Sequence, residues 1–141
     1  MEEATMKFFL DSAKLDEIKE AYYTFGIDGV TTNPKHIMLS GKPFRTALAD
    51  IADWIREEGI TGKDVFPVSV EIDPHLDDAD GMVAMAKEIS SLCENFVIKV
   101  PCTEAGVTAA RRLEQEGAAL LMEIDDGVVM HVTIPEGENK W

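Results

Sequence analysis

The chain has 141 residues, of which 45% are hydrophobic and 28% charged, which suffices for one globular domain with its own core. Its formal net charge of −14 argues against nucleic acid or an anionic membrane as a partner, because both select for basic surfaces. No apolar run in the sequence approaches the about 18 residues that a membrane span requires, so no membrane partner is expected.

The N-terminal sequence and the cysteine content predict a cytoplasmic protein. The first residues, "MEEATMKFFLD", are acidic before they are apolar, which is the reverse of a secretory signal. Cys93 and Cys102 have no metal-ligand spacing and are expected to be reduced thiols. His36, His75 and His131 lie far apart without a metal-binding motif, so no metal site is expected.

Short apolar runs alternate with longer amphipathic stretches along the chain. The predicted strands are Met6–Asp11, Asp28–Pro34, Asp64–Ile72, Phe96–Pro101 and Gly127–Ile134. Helical periodicity predicts helices in "SAKLDEIKEAYYTF", "PFRTALADIADWIREEG", "DADGMVAMAKEISSLC" and "TEAGVTAARRLEQEG". The expected N-caps are Ser12 and Thr103, and the expected C-terminal stops are Gly59 and Gly117.

This alternation predicts an α/β fold with a parallel sheet and right-handed crossovers. No glycine-rich phosphate loop follows the first strand, which disfavours the nucleotide-binding open sheet. Polar residues lie instead at successive strand ends, which is typical of a (β/α) barrel. These residues are Asp11, Thr32, Asn33, Glu71, Lys99 and Thr133.

The chain is too short for a closed eight-unit barrel, which takes about 200 residues at minimum. About five strands and four helices account for all of it. We therefore predict a single, partial TIM-barrel-type domain over residues 1–141.

Lys99 is the most unusual of these polar residues, because it lies among Val97, Ile98 and Val100 in a strand. One interpretation is structural: the amine reaches to the strand end or pairs with a buried carboxylate. The other is catalytic. Apolar surroundings disfavour the ammonium form, and a neutral amine can attack a carbonyl to form a Schiff base.

A Schiff-base lysine needs acid–base groups to lose water and move protons. Asp11 and Glu71 end the first and third predicted strands, and Thr133 in the fifth could hold a water molecule. The alternative for each acid is a helix cap or a turn former. Their convergence on one edge of one sheet favours a catalytic interpretation.

The sequence "TTNP", ending at Pro34, also has two interpretations. Asn-Pro commonly marks a turn and the end of a strand. Alternatively, Thr32 and Asn33 line the pocket, with the amide of Asn33 holding a substrate hydroxyl or the lysine.

Three segments together resemble the transaldolase and fructose-6-phosphate aldolase family in order and spacing. They are "KFFLDSAKLDEIKEAYYTFGIDGVTTNP", "VSVEI" and "FVIKVPCTEAGVTAARRLEQEG", which cover about Met6 to Gly117. The motifs "DGVTTNP" and "IKVP" are specific in this combination. Residues 118–141 diverge from the family pattern and have no counterpart of its phosphate-binding serine and arginine.

The resemblance implies a class I aldolase on a (β/α)8 barrel, acting without cofactor or metal on sugar phosphates through a dihydroxyacetone unit. It implies that Lys99 is the Schiff-base lysine, that Asp11 is the acid–base residue, and that Asn33 steadies lysine and substrate. By the same resemblance, Glu71 helps to place a catalytic water. Thr133 corresponds to the threonine of strand five if residues are inserted before it.

Two functions therefore follow from the sequence. The first is a transaldolase-like aldolase or transferase acting through a lysine Schiff base. The second is a catalytically impaired, truncated barrel that acts as an oligomeric or binding module. In either case a half-open parallel sheet exposes edges and apolar surface, so a homo-oligomer is expected.

Overall fold

The computed structural model describes residues 6–117, 120–124 and 128–130 and forms one sheet flanked by helices. The strands are β1 (Phe9–Asp11), β2 (Gly29–Thr31), β3 (Val68–Glu71), β4 (Phe96–Pro101), β5 (Leu120–Ile124) and β6 (Val128–Met130). The helices are α1 (Leu15–Phe25), α2 (Pro34–Leu39), α3 (Phe44–Glu58), α4 (Ala79–Leu92) and α5 (Glu104–Glu114). None of the helices in these residues is long and apolar enough to cross a bilayer.

The strands of the sheet lie in simple sequential order, β1 to β6. The first five are parallel to one another, and β6 is antiparallel to β5. A doubly wound sheet reverses its strand order at a switch point, and this sheet does not. Successive right-handed crossovers without reversal put the helices on one face, as in a barrel wall. The predicted partial barrel of the α/β class is confirmed.

The two faces of the sheet consequently have different chemistry. Val30, Val68, Val70, Ile98 and Val100 are completely buried in the core that the sheet shares with the helices. Side chains alternate along a strand, so their immediate neighbours point to the opposite face, here called the inner face. In register across the inner face lie Asp11, Thr31, Ser69 and Val97, followed by Glu71 and Lys99. The polar residues of the sheet therefore share the face away from the helices.

The predicted fifth strand, Gly127–Ile134, is wrong as a parallel barrel strand. The parallel fifth strand is Leu120–Ile124, directly after α5, and Val128–Met130 pairs with it in the antiparallel direction. A parallel pair needs a crossover of a dozen or more residues, whereas three residues separate these two strands. Their sequence, Asp-Asp-Gly, has the Asp-Gly pair that hairpins favour.

Two further local predictions differ from the structure. Ser12 is not the N-cap of α1; its hydroxyl donates to Glu17 and accepts from the backbone N–H of Lys14, the residue in the cap position. The short helix α2 stands where "TTNP" predicts only a turn. Thr103 does cap α5, accepting from the N–H of Gly106, and Gly59 ends α3 with a positive φ of 73°.

Asn95, completely buried just before β4, connects its own loop to the loop between α3 and β3. Its carboxamide oxygen accepts from the N–H of Gly62 at 2.7 Å. Its nitrogen donates to the carbonyl oxygens of Ile60 and Phe66, both at 2.8 Å. These bonds satisfy backbone groups that the turn between α3 and β3 would otherwise leave unpaired.

We expect Asn95→Ala to lower the free energy of unfolding by about 3 kcal/mol, because three backbone groups, one buried and two partly buried, lose their partners. Urea unfolding followed by circular dichroism measures the change. The exposed neighbour Glu94 provides the control, and Glu94→Ala should leave the midpoint nearly unchanged. Equal effects of the two substitutions would contradict this account.

Candidate active site

Lys99 lies in the middle of β4 with its side chain on the inner face. It is 8% exposed, between the completely buried Ile98 and Val100, whose side chains point to the helices. The ladder between β3 and β4 pairs Glu71 with Lys99 and continues on the other side to Leu121 of β5. The amine therefore lies beside the end of β3, in surroundings from which water is largely excluded.

The carboxylate of Glu71 is a charged neighbour of this amine. The distance from Lys99 Nζ to Glu71 Oε1 is 3.4 Å, and the two side chains are 10% and 15% exposed. Water screens this pair far less than it screens a surface pair, so the interaction is strong and orients both groups.

A second cluster of polar side chains lies at the ends of β1 and β2. Asp11 Oδ1 accepts a hydrogen bond of 2.9 Å from the hydroxyl of Thr31, its register partner. Asp11 Oδ2 lies 3.0 Å from Nε2 of His36. The Asp11 side chain is 66% exposed, so this carboxylate is open to solvent in a way that Glu71 is not.

Asn33 connects this cluster to helix α2. It occupies the N-cap position, and its Oδ1 accepts from the backbone N–H of His36 at 2.8 Å. Pro34 follows at the first helical position, where its missing N–H costs nothing. The cap fixes the first turn of α2 and so brings the His36 ring to Asp11.

A hydrogen bond between Thr32 and Ser69 connects the end of β2 to β3. The Thr32 hydroxyl is buried and donates to the carbonyl oxygen of Ser69 at 2.7 Å. The Ser69 hydroxyl is also buried, and within the described part of the chain it has no hydrogen-bond partner. Ser69 lies on the inner face two residues before Glu71, so this hydroxyl adds a polar group to the row that holds Asp11.

The turn after β4 is fixed by Gly106. A Cβ at this position would overlap the carbonyl oxygen of Pro101, so the start of α5 approaches the end of β4 more closely than any other residue allows. Thr103 caps the same turn. The glycine and the cap together hold the C-terminal end of the strand that carries Lys99.

Several predicted residues are thus brought together and others are not. Glu71 and Lys99 are in contact, and Asp11 and Asn33 are joined through His36. Thr133 lies outside the described residues. Within those residues no group of three or more potential metal ligands is close enough to hold an ion.

His36, Thr31 and Ser69 were missed as members of the site. Two weak signals could have found them. Thr31 follows the apolar Val30, and Ser69 precedes Glu71 by two residues, so strand alternation puts both hydroxyls on the polar face. The spacing of Asn33 and His36 is that of an N-cap and the third residue of a helix, which requires α2 to be recognised first.

The two resolved pKa shifts near the sheet arise outside these clusters. The pKa of Asp73, just after β3, lies below its ordinary value because the backbone N–H and then the ring of His75 hydrogen-bond to it. Burial raises the pKa of the Cys93 thiol, which keeps it protonated and unreactive. His75 therefore contributes hydrogen bonds to Asp73 within the loop after β3.

Comparison with known proteins identifies the family of this fold and site. A family model described as transaldolase/fructose-6-phosphate aldolase matches residues 8–122. The chain is 54% identical over 112 residues to the 6-deoxy-6-sulfo-D-fructose transaldolases of Priestia aryabhattai and Priestia megaterium. It is 44% identical over the same length to a probable transaldolase of Heliobacterium modesticaldum.

These alignments cover 79% of this chain and 47% of each of the three relatives. The structure defines a class of protein: a parallel α/β barrel wall that carries a buried lysine–glutamate pair on its inner face. The chain belongs to the transaldolase/fructose-6-phosphate aldolase family. It spans about half the length of the curated relatives that it matches.

The interaction energy of the Glu71–Lys99 pair can be measured by a double-mutant cycle. We expect the double variant Lys99→Met/Glu71→Gln to lose less free energy of unfolding than the two single variants lose in sum. The difference, the coupling energy, should be about 1–3 kcal/mol. Each single substitution removes the interaction between these two charges and keeps one of them in a largely buried position. The measurement is urea unfolding of the four proteins.

Lys87 and Glu116 provide the matched control. Their charged atoms are closer, at 2.9 Å, but both side chains are at least half exposed. The same cycle on this pair should give a coupling below about 1 kcal/mol. A coupling for the inner-face pair no larger than that of the control would show that Glu71 and Lys99 do not interact strongly.

Proposed function

We propose that this chain carries the reactive half of a transaldolase-like class I aldolase or transferase. Lys99 attacks the ketone carbonyl of a sugar with a dihydroxyacetone unit, and loss of water gives a Schiff base. The observation that carries the proposal is the 3.4 Å contact between two largely buried side chains, Lys99 and Glu71, in register on parallel strands. A buried pair also fits a structural lysine, and membership of the transaldolase/fructose-6-phosphate aldolase family favours the catalytic interpretation.

The neighbouring groups support defined roles around this amine. Glu71 takes the proton that the ammonium must lose, directly or through a water molecule that it orients. Asp11 is an acid–base group in exchange with solvent, and its contacts to Thr31 and His36 fix its orientation. Asn33 faces the substrate, and Thr32 supports the strand beneath it. Thr133 remains our prediction for a water-holding hydroxyl.

The substrate class we propose is a sugar with an anionic terminal group. Sugar phosphates are the expectation from the family, and two relatives at 54% identity are named for a sulfonated fructose. Both substrates share the ketone carbons that Lys99 would attack and differ in the terminal anion. The reaction is proposed to occur in the cytoplasm.

The test is reductive trapping. The protein is incubated with fructose 6-phosphate, with 6-deoxy-6-sulfo-D-fructose or with dihydroxyacetone, and sodium borohydride is added to reduce any imine to a stable secondary amine. Peptide mass spectrometry should find the added mass on Lys99. Lys99→Arg should abolish the adduct, whereas Lys87→Arg, at an exposed lysine, should leave it.

We propose as a second function a sugar-binding module without turnover, whose inner face carries polar groups such as Asp11 and Ser69. In that case calorimetry would show binding of the same sugars with no adduct on Lys99 after borohydride. Absence of the adduct at saturating sugar would overturn the Schiff-base proposal.

A further inference from the structure

His36 lies at the start of α2 and contacts Asp11 at the end of β1. Its Nε2 is 3.0 Å from Oδ2 of Asp11, and the histidine side chain is 22% exposed. Both residues belong to the first two strand–helix units, which the structure describes without a gap. The contact is therefore formed entirely by residues whose positions are on hand, and its chemistry can be worked out from them.

The path of α2 determines where the His36 ring lies. The backbone N–H of His36 donates to Oδ1 of Asn33 at 2.8 Å. The next residue, Ile37, is 5% exposed and packs into the hydrophobic core. Because the backbone is held at both points, only the side-chain torsions of His36 remain to bring the ring to Asp11. The helix, rather than the carboxylate, therefore places the imidazole.

The contact also assigns a hydrogen to the ring. An ionised carboxylate can only accept hydrogen bonds, so Nε2 of His36 carries the hydrogen whether the ring is neutral or charged. A neutral ring then has its lone pair on Nδ1, and protonation adds a hydrogen there without disturbing the contact to Asp11. This geometry gives His36 the role of an N–H donor to Asp11.

Thr31 holds the other oxygen of the same carboxylate. Its hydroxyl donates to Oδ1 of Asp11 at 2.9 Å, whereas His36 contacts Oδ2. The two donors come from different elements, β2 and α2, so the plane of the carboxylate is fixed at both ends. A carboxylate has about four lone-pair sites, and two donors leave sites open on Asp11 for a proton.

We propose that His36 is a positioning residue, whose Nε2–H holds Asp11 in the orientation in which it removes a proton from a lysine-bound sugar. The inference rests on the proposed function, because the substrate of this step is the iminium ion that dihydroxyacetone forms with Lys99. The proton on the carbon beside the iminium moves to Asp11. The C–H electron pair becomes the C=C bond of an enamine, and the π pair of the C=N bond becomes the nitrogen lone pair.

This step can be measured with dihydroxyacetone alone. In D2O, each cycle of proton removal and return exchanges a carbon-bound hydrogen for deuterium, which NMR detects as loss of the C–H signal. Borohydride trapping on parallel samples measures how much iminium forms on Lys99. The Lys99→Arg variant gives the background exchange of the free sugar.

His36→Leu should slow the exchange by roughly tenfold or more while leaving the trapped fraction unchanged. Acid–base catalysis contributes about 10²–10⁴-fold, and a base that has lost its orientation loses part of that factor. His36→Gln should retain most of the wild-type rate, because its amide N–H can replace the Nε2–H donor.

His75→Leu is the matched control. His75 also contacts an aspartate, with Nδ1 3.0 Å from Oδ1 of Asp73, but in the loop after β3. Its removal should leave both the exchange rate and the trapped fraction at their wild-type values. Circular dichroism verifies that each variant is folded.

The two measurements separate this inference from the proposed function. A wild type without the Lys99 adduct would overturn the proposed function, and the inference with it. With the adduct present, the inference alone fails if the wild type shows no exchange above background, or if His36→Leu exchanges as fast as the wild type. It also fails if folded His36→Gln is as slow as His36→Leu, or if His36→Leu loses trapping and exchange in equal measure.

Discussion

The ladder between β3 and β4 determines where the chemistry of this protein lies. Its register pairs Glu71 with Lys99, and the alternation of side chains then sends Val70, Ile98 and Val100 into the helical core. A shift of one residue in either strand would turn the charged residue of that strand into the aliphatic core and its aliphatic residues to the inner face. The apolar packing of the core and the juxtaposition of amine and carboxylate are therefore one constraint, and neither can change without the other.

Much of the fold could be predicted from local signals. Apolar runs, helical periodicity and the glycine stop at Gly59 located four parallel strands and four helices, because each signal reflects contacts within a few residues. The acid at Asp11 and the lysine at Lys99 could also be singled out, since strand-end polar residues are conspicuous among valines and isoleucines. From the sequence, only the expected topology relates Asp11 to Lys99. The observed sequential strand order agrees with that topology.

The remainder depended on pairing between distant segments. The sequence of Leu120–Ile124 would also fit a continuation of the preceding helix. Only its pairing with β4 identifies it as the fifth parallel strand. His36 acquires its contact with Asp11 because Asn33 starts a helix that "Asn-Pro" alone does not reveal. Residue type predicts Ser12 as a cap, but its hydroxyl accepts from the N–H of Lys14 and donates to Glu17 in the first turn of the helix. Residue type limits what a side chain can bind, whereas the backbone path selects among those options.

The helix cap at Asn33 gives its side chain a direction. Its oxygen is held by the backbone N–H of His36, so the carboxamide plane is fixed and its nitrogen is the end turned away from that bond. A molecule approaching Asn33 would therefore meet N–H donors and would need to present a lone pair. Carbonyl and ether oxygens satisfy that requirement at once, whereas a hydroxyl must orient its hydrogen elsewhere. A bond that begins a six-residue helix thus imposes a hydrogen-bonding polarity on whatever binds beside it.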